Sequence, residues 1–204
     1  MDNPVMQLKE SPSQTAGPYV HIGCVPGFTG INIFGTDLGS EMKKGPVKGQ
    51  DIKIVGKIID ADNEPVLDAV VEIWQADANG LFNSTNEVRG EADPNFTGWG
   101  RSAINPQTGE YSFDTLKPGC VPWHDGRLQA PHVSFWIVAR GINIGLQTRL
   151  YFADEEEANS KDPILSSIKD PSRASTLIAK DEGSGIHRFN ICLQGDGETV
   201  FLDI

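Results

Sequence analysis

The 204-residue sequence is poor in the side chains that most often build a metal centre or a disulfide framework. It contains only three cysteines, three tyrosines and four histidines. The cysteines, at positions 24, 120 and 192, are widely spaced and odd in number. This pattern argues against a disulfide framework and against a CxxC metal site. A metal centre in this chain would have to draw on scattered tyrosines and histidines.

The sequence also lacks an excess of positive charge and a long apolar run. It has 17 Lys and Arg against 28 Asp and Glu, which gives a net charge of -11. Nucleic acids and anionic membranes bind positive surfaces, so neither is expected as the main partner. No apolar run is long enough to span a bilayer, and the first residues do not form a secretory signal. We therefore expect a cytoplasmic protein.

The first 50 residues are irregular and rich in proline and glycine. Residues of these two types, at this density, exclude long regular elements. Apolar residues between them, including Tyr19, Ile22 and Phe28, argue against a disordered tail. We interpret residues 1–50 as an arm that packs on another surface, and residues 51–204 as the main domain.

From residue 51 onward the pattern is typical of β-strands separated by turns. The one helix candidate opens near Asp154, where three glutamates suit the first turn of a helix, and ends before Pro163. Alternation of strands with helices is absent, so we predict an antiparallel β-sandwich with a short helical excursion. The predicted strands are residues 52–59, 69–74, 110–113, 132–139, 148–152, 187–193 and 198–202.

The most specific motif is Trp-Gln-Ala-x-x-x-Gly at residues 74–80, which follows a strand-turn-strand pattern shared by many small β-sandwiches. Further motifs follow it at residues 93–101, 117–123, 130–135 and 148–152. In this order and spacing, the motifs resemble those of the intradiol dioxygenases, which open catechol-type rings with non-haem Fe(III) and O2. The resemblance covers nearly the whole chain. It implies the β-sandwich fold of that family.

Iron-bearing members of this family hold the metal with two tyrosines and a His-x-His pair. The resemblance places these four ligands at Phe82, Val121, His132 and Ser134 of this sequence. Ferric iron favours anionic oxygen donors and imidazole, which a phenyl ring, an isopropyl group and a hydroxymethyl group do not supply. His132 alone is retained, and it is more simply a buried structural histidine than a metal ligand. We therefore expect no iron in this chain.

Segments 12–19, 139–144 and 194–201 resemble the alpha chains of two-chain members of the family. This resemblance implies a homologous beta chain that carries Fe(III), an arm packed on that chain, and αβ units repeated in a larger oligomer. It also implies the O2-dependent cleavage of protocatechuate to 3-carboxy-cis,cis-muconate, in the β-ketoadipate pathway of aromatic catabolism. The residues of this chain that would line the partner's substrate pocket are Thr15, Gly17, Pro18, Tyr19 and Arg140.

Each of these roles has a simpler alternative. Gly17 and Pro18 fix a narrow turn that could approach a flat ring, or they form only a structural turn. Arg140 could bind the substrate carboxylate, or it could end a strand in a surface ion pair. Arg101 and Arg149 are weaker candidates for an anion site, and structural ion pairs are the simpler interpretation for both.

Two other functions are considered. A non-catalytic β-sandwich that serves as a binding or structural module would fit the strand-turn-strand half of the main motif. It would not explain the arm or Arg140. A single-chain catechol or hydroxyquinol dioxygenase is excluded by the side chains at Phe82 and Val121. The four tryptophans are interpreted as core or interface anchors.

Overall fold

The computed structural model describes residues 14–33 and 35–203. Within them the chain is mainly β, as predicted. Its helices are α1 Val20–Cys24, α2 Glu156–Lys161 and α3 Pro171–Ser175, with 3-10 turns at Pro26–Thr29 and Leu165–Ser167. Its strands are β1 Asp51–Gly56, β2 Ile58–Ile59, β3 Val70–Trp74, β4 Trp99–Ala103, β5 Tyr111–Leu116, β6 Val121–Pro122, β7 Leu128–Gln129, β8 His132–Val138, β9 Leu146–Phe152, β10 Ile178–Gly183, β11 Ile186–Arg188 and β12 Ile191–Cys192.

Eight strands form one sheet in the order β4-β3-β8-β9-β10-β11-β1-β5. The sheet curls until its two edge strands approach each other, and the Ser112 amide of β5 donates to the Ser102 hydroxyl of β4 at 3.4 Å. Most neighbours are antiparallel, as predicted, whereas β1 with β11 and β9 with β10 are parallel. The curled sheet therefore has an inner face that forms the core and an outer face that is open to solvent or to other segments.

Strand β8 shows how the sequence sorts its side chains between these faces. Because successive side chains of a strand point to opposite faces, Val133, Phe135 and Ile137 share one face. All three are buried in the main hydrophobic cluster. Burial of each such side chain stabilises the fold by roughly 1.5–3 kcal/mol. The alternate residues, Ser134 and Trp136, therefore lie on the outer face.

The predicted helix is confirmed as α2, which has Glu156 and Glu157 in its first turn and ends before Pro163. The strand predicted at residues 198–202 is wrong. The Thr199 amide donates to Cys192, the Val200 amide to the Thr176 hydroxyl, and the Leu202 amide to Gln147. The acceptors belong to three different segments, so no continuous ladder forms. Strands β4, β6, β7 and β10 were not predicted.

Part of the arm packs on this chain's own sheet. The buried Met42 contributes to the main core, and its carbonyl accepts a hydrogen bond from the Thr97 amide. Other arm side chains are exposed, among them Tyr19 at 74% and Ile33 at 64%. Residues 1–13 of the arm lie outside the described residues, and its contact with a partner stays a prediction. None of the helices in the described part has the length and apolar character that crossing a membrane requires.

Candidate functional site

The outer face of the sheet carries rows of side chains that the strand register aligns. Four antiparallel strands lie side by side here, so one residue from each falls on the same line. One row runs across β4, β3, β8 and β9 through Trp99, Trp74, Ser134 and Arg149. The next row runs through Arg101, Glu72, Trp136 and Gln147. The register thus brings Ser134, one of the expected ligand positions, directly opposite an arginine.

These rows form the floor of an open cavity of about 710 Å³, which we call the tryptophan cleft. Its size is within the range of small-molecule sites. All four tryptophans of the sequence line it, as anchors of a concave surface. The lining residues used below are Trp74, Trp99, Trp123, Trp136, Ser134 and Arg149.

The two positions expected for tyrosine ligands adjoin this cleft and contain apolar side chains. The ring of Phe82 stacks on Trp74, with 5.8 Å between the centroids and 7° between the planes. Val121, in β6, is buried, and together with Phe82 and Trp74 it lines a hollow of about 370 Å³. The fold therefore gathers the predicted positions around Trp74. Neither Phe82 nor Val121 offers an oxygen atom to a metal.

The retained histidine is buried in a fixed orientation. His132 Nδ1 lies 2.8 Å from the Ala130 carbonyl oxygen. Because a carbonyl only accepts, Nδ1 must carry the proton, and Nε2 is left as an acceptor. Burial, followed by the charge of Arg149, lowers the pKa of His132 to about 4. The imidazole is therefore neutral at pH 7.

Arg149 is buried, with 7% of its surface exposed, and its Nη1 donates to Gln129 Oε1 at 2.7 Å. A structural ion pair was the simpler prediction for this residue. Among residues 14–33 and 35–203 no carboxylate forms an ion pair with it, so the described contacts of Arg149 are with neutral groups. For Arg101 the same prediction is confirmed by an ion pair with Glu72 at 2.6 Å.

A buried carboxylate, Asp162, organises the wall beside His132. It accepts hydrogen bonds from the Ala130, Ile164 and Leu165 amides and from the Tyr151 hydroxyl, at 2.8–3.1 Å. Burial and the charge of Asp162 raise the pKa of Tyr151, which stays a neutral phenol. Sequence reasoning missed this group. The one sequence signal is the Asp-Pro pair at 162–163, which is common in turns.

The residues around the four expected ligand positions do not fit a ferric ion. One imidazole remains, and the neighbouring Tyr151 is a protonated phenol bonded to Asp162. The buried guanidinium of Arg149 would repel a cation placed beside His132 and Ser134. No group of three or more His, Cys, Asp or Glu side chains suited to a metal occurs among residues 14–33 and 35–203.

The predicted pocket residues lie at the other end of β8. The Thr15 hydroxyl accepts a hydrogen bond from the Gly141 amide at 2.7 Å and lies 3.2 Å from the Ala139 carbonyl oxygen. It therefore holds the turn that carries Arg140. We call Thr15, Arg140 and Gly141, with the adjoining hollow of about 800 Å³, the arm patch. Gly17, Pro18 and Tyr19 follow on the surface, before α1.

Arg140 is largely exposed, and its Nε forms a long ion pair of 3.4 Å with Asp68. An exposed pair of this kind contributes little to stability, so the guanidinium is available to another ligand. Exposed apolar residues, Leu67 and Ile144, flank it in the same hollow. A strand rises about 3.3 Å per residue, so Arg140 lies roughly 25 Å along β8 from His132. Trp136, which lines the tryptophan cleft, is four residues from Arg140, roughly 13 Å by the same rise, and the arm patch and the cleft share no lining residue.

Comparison with known proteins agrees with this geometry. Residues 35–195 match the family model described as Dioxygenase. The chain belongs to the intradiol dioxygenase family. It is 42% identical to the protocatechuate 3,4-dioxygenase alpha chain of Pseudomonas putida, over 98% of this chain and 99% of that one. The family resemblance inferred from the motifs is thus confirmed, and the family is iron-dependent.

Two further similarities place the chain within the family. It is 30% identical to the protocatechuate 3,4-dioxygenase beta chain of Burkholderia cepacia, over 78% of this chain and 70% of that one. The solved structure of an intradiol ring-cleavage dioxygenase from Tetranychus urticae superposes with a TM-score of 0.56 at 20% identity, over 91% of this chain and 94% of that one. At this identity the structural match shows the fold alone, and it confirms the predicted fold class.

Proposed function

We propose that this chain is the alpha chain of a protocatechuate 3,4-dioxygenase and that it completes the substrate pocket of an iron-bearing beta chain. The observation that carries the proposal is the alpha-chain similarity over 98% of the sequence, combined with a donor set that does not suit iron. The reaction adds both atoms of O2 to protocatechuate and opens the ring between its hydroxyl carbons, giving 3-carboxy-cis,cis-muconate. When bound to the beta chain, Fe(III) would supply the oxygen chemistry. No step is assigned to a metal in this chain.

In this proposal the arm patch contributes to the pocket of the partner. The Arg140 guanidinium would bind the carboxylate of the substrate, and Thr15 would hold the turn that positions it. Gly17 and Pro18 would approach the ring, and Tyr19 would hydrogen-bond across the interface. The exposure of Arg140, Tyr19 and Ile144 supports this arrangement, because apolar and aromatic groups exposed beside a cation are typical of interfaces.

The proposal also gives a separate role to each of the two parts of the chain. Residues 1–50 would act as the arm that packs on the beta chain, and residues 51–204 would form the main domain. The αβ pairs would repeat in a larger closed oligomer. A cytoplasmic location belongs to the same proposal, supported by the free thiols of Cys24, Cys120 and Cys192.

Replacement of Arg140 tests the carboxylate role. In the co-expressed αβ complex, Arg140→Ala should raise KM for protocatechuate by about tenfold or more, because a charge-assisted hydrogen bond is lost. KM for catechol, which has no carboxylate, should change less than about twofold by the same reasoning. Steady-state kinetics on both substrates provides the measurement.

Arg127→Ala is the matched control, since Arg127 is also an exposed arginine paired with an aspartate, Asp125. Its kinetic constants should equal those of the unmodified complex. An equal rise in KM for both substrates in Arg140→Ala would remove the carboxylate-binding role. Ring cleavage by this chain without a partner would remove the proposal as a whole.

A further inference from the structure

The tryptophan cleft contains a buried positive charge that lacks an anionic partner among the described residues. Arg149 is 7% exposed, its Nη1 donates to the neutral amide oxygen Gln129 Oε1, and its guanidinium also contacts the neutral Tyr151 hydroxyl. Its Nε is buried without a hydrogen-bond acceptor. A buried guanidinium with an unpaired N–H group is costly, so this arrangement favours the approach of an anion.

The carboxylates nearest to the cleft are already engaged or too far away. Glu72 accepts from Arg101 Nε at 2.7 Å and from Trp99 Nε1 at 3.2 Å. Asp162 is separated from Arg149 by Tyr151, whose hydroxyl donates to it. Asp203 lies exposed at the rim and forms no ion pair within 4.0 Å among residues 14–33 and 35–203. The position opposite Arg149 in the cleft is therefore open to an external anion.

The rest of the lining selects the kind of anion. Four tryptophans line the cleft together with one guanidinium, and the other polar side chains of the lining are Glu72, Ser134, Gln147 and Asp203. Flat aromatic rings stack well on indoles, and one guanidinium matches the charge and bidentate geometry of one carboxylate. A phosphate carries more negative charge than a single arginine balances. The cleft thus suits a ligand with one ring and one carboxylate.

We propose that the tryptophan cleft binds a small aromatic carboxylate, with the carboxylate on Arg149 and the ring against the tryptophans. The chain would then use, as an organic-anion site, the part of the fold in which its residues no longer suit a metal. This inference rests on Arg149 and the cleft lining and does not depend on the proposed function, which rests on the arm patch.

Equilibrium dialysis of radiolabelled benzoate against the purified αβ complex tests the site. Benzoate has one ring, one carboxylate and no hydroxyl group. The unmodified complex should bind one benzoate per αβ pair at a site that requires Arg149. In Arg149→Gln this binding should weaken about tenfold to a hundredfold, because a charge-assisted contact is lost. Any benzoate bound elsewhere in the complex is present in both proteins and cancels in the difference.

Arg173→Gln is the matched control, since Arg173 is a partly exposed arginine in α3 that contacts Glu198 at 3.4 Å. It should bind benzoate with a Kd within about twofold of the unmodified complex, because it lies outside the cleft. Phenol, which lacks the carboxylate, and acetate, which lacks the ring, should each bind the cleft at least about tenfold more weakly than benzoate. Acetate binding equal to benzoate binding would overturn the role of the tryptophans.

A second variant keeps the test decisive if Arg149→Gln fails to assemble. Trp136 is 40% exposed on the outer face, so Trp136→Leu leaves the main core intact. It should weaken the Arg149-dependent binding of benzoate by about threefold to tenfold, because stacking area is lost. An unchanged number of benzoates and an unchanged Kd in both variants would overturn the proposal. A cleft closed by a segment of the partner, with no benzoate bound there, would also overturn it.

Discussion

The arm patch and the tryptophan cleft each present an arginine at the β8–β9 pair, and the two arginines differ in burial and in partners. Arg140 is exposed, paired at 3.4 Å with Asp68, and flanked by exposed apolar side chains. Arg149 is buried, bonded to a neutral amide and surrounded by tryptophans. The exposed Arg140 is accessible to another surface, whereas Arg149 already lies inside a cavity. Both arginines therefore offer hydrogen-bond donors for an anion at positions that need no metal.

Substitutions beside the tryptophan cleft should lower the free energy of unfolding more than substitutions in the arm patch. Asp162→Ala removes a buried carboxylate and leaves three backbone amides and the Tyr151 hydroxyl without their acceptor. We expect a loss of about 3–4 kcal/mol in the free energy of unfolding. Calorimetric or denaturant unfolding of the complex measures it.

The exposed Asp125, which Arg127 contacts at 2.7 Å, supplies the control. Asp125→Ala should leave the unfolding midpoint unchanged, because exposed ion pairs contribute little. Similar losses in the two variants would show that the hydrogen bonds of Asp162 contribute no more stability than an exposed ion pair.

His132, which is buried beside the tryptophan cleft, should also make stability respond to mild acid. The pKa of His132 is lowered to about 4, against an ordinary value of 6.5. Between these pH values His132 binds a proton in the unfolded chain but not in the native chain, so the free energy of unfolding falls as pH falls. From pH 7 to pH 5 this residue should account for a loss of about 2 kcal/mol.

His132→Gln should reduce the loss of stability between pH 7 and pH 5 by that amount. His187, whose pKa burial also lowers, remains in both proteins and cancels in the comparison. Thermal unfolding at the two pH values gives the difference. An identical acid response in the variant would mean that His132 is hydrated or charged in the native state.

The arm patch should show the smallest effect on stability and a clear effect on substrate binding. Thr15→Val removes the acceptor of the Gly141 amide on an exposed turn, which should cost less than about 1 kcal/mol. If this hydroxyl positions Arg140, KM for protocatechuate should rise about twofold to fivefold in the αβ complex, less than for Arg140→Ala. Thr15→Ser should restore it. A rise that serine does not reverse would indicate a packing role for the threonine methyl group.

The features that depend on local spacing can be predicted from the sequence alone. The motif at residues 74–80 and the Pro-Gly pair at 118–119 locate Phe82 and Val121, because each lies at a fixed distance along the chain. Strand β8 and helix α2 were likewise readable from β-branched runs and from glutamates before a proline.

The features that escaped prediction depend on the pairing of distant segments. Arg149 faces Ser134 only because β8 and β9 pair in one register, and a shift by one residue would turn it to the other face. Asp162 acts through amides on two separate segments, which no local pattern reveals. Residues 198–202 have a strand-like composition, yet their hydrogen bonds go to three different segments.

We propose that this chain contributes substrate contacts to its partner, while its own cleft suits an organic anion instead of iron. The most direct test is the iron content of the purified αβ complex, measured by mass spectrometry against quantitative amino-acid analysis. We expect one iron per αβ pair. Two irons per pair would contradict it, because the second ion would then have to be held beside His132 and Arg149.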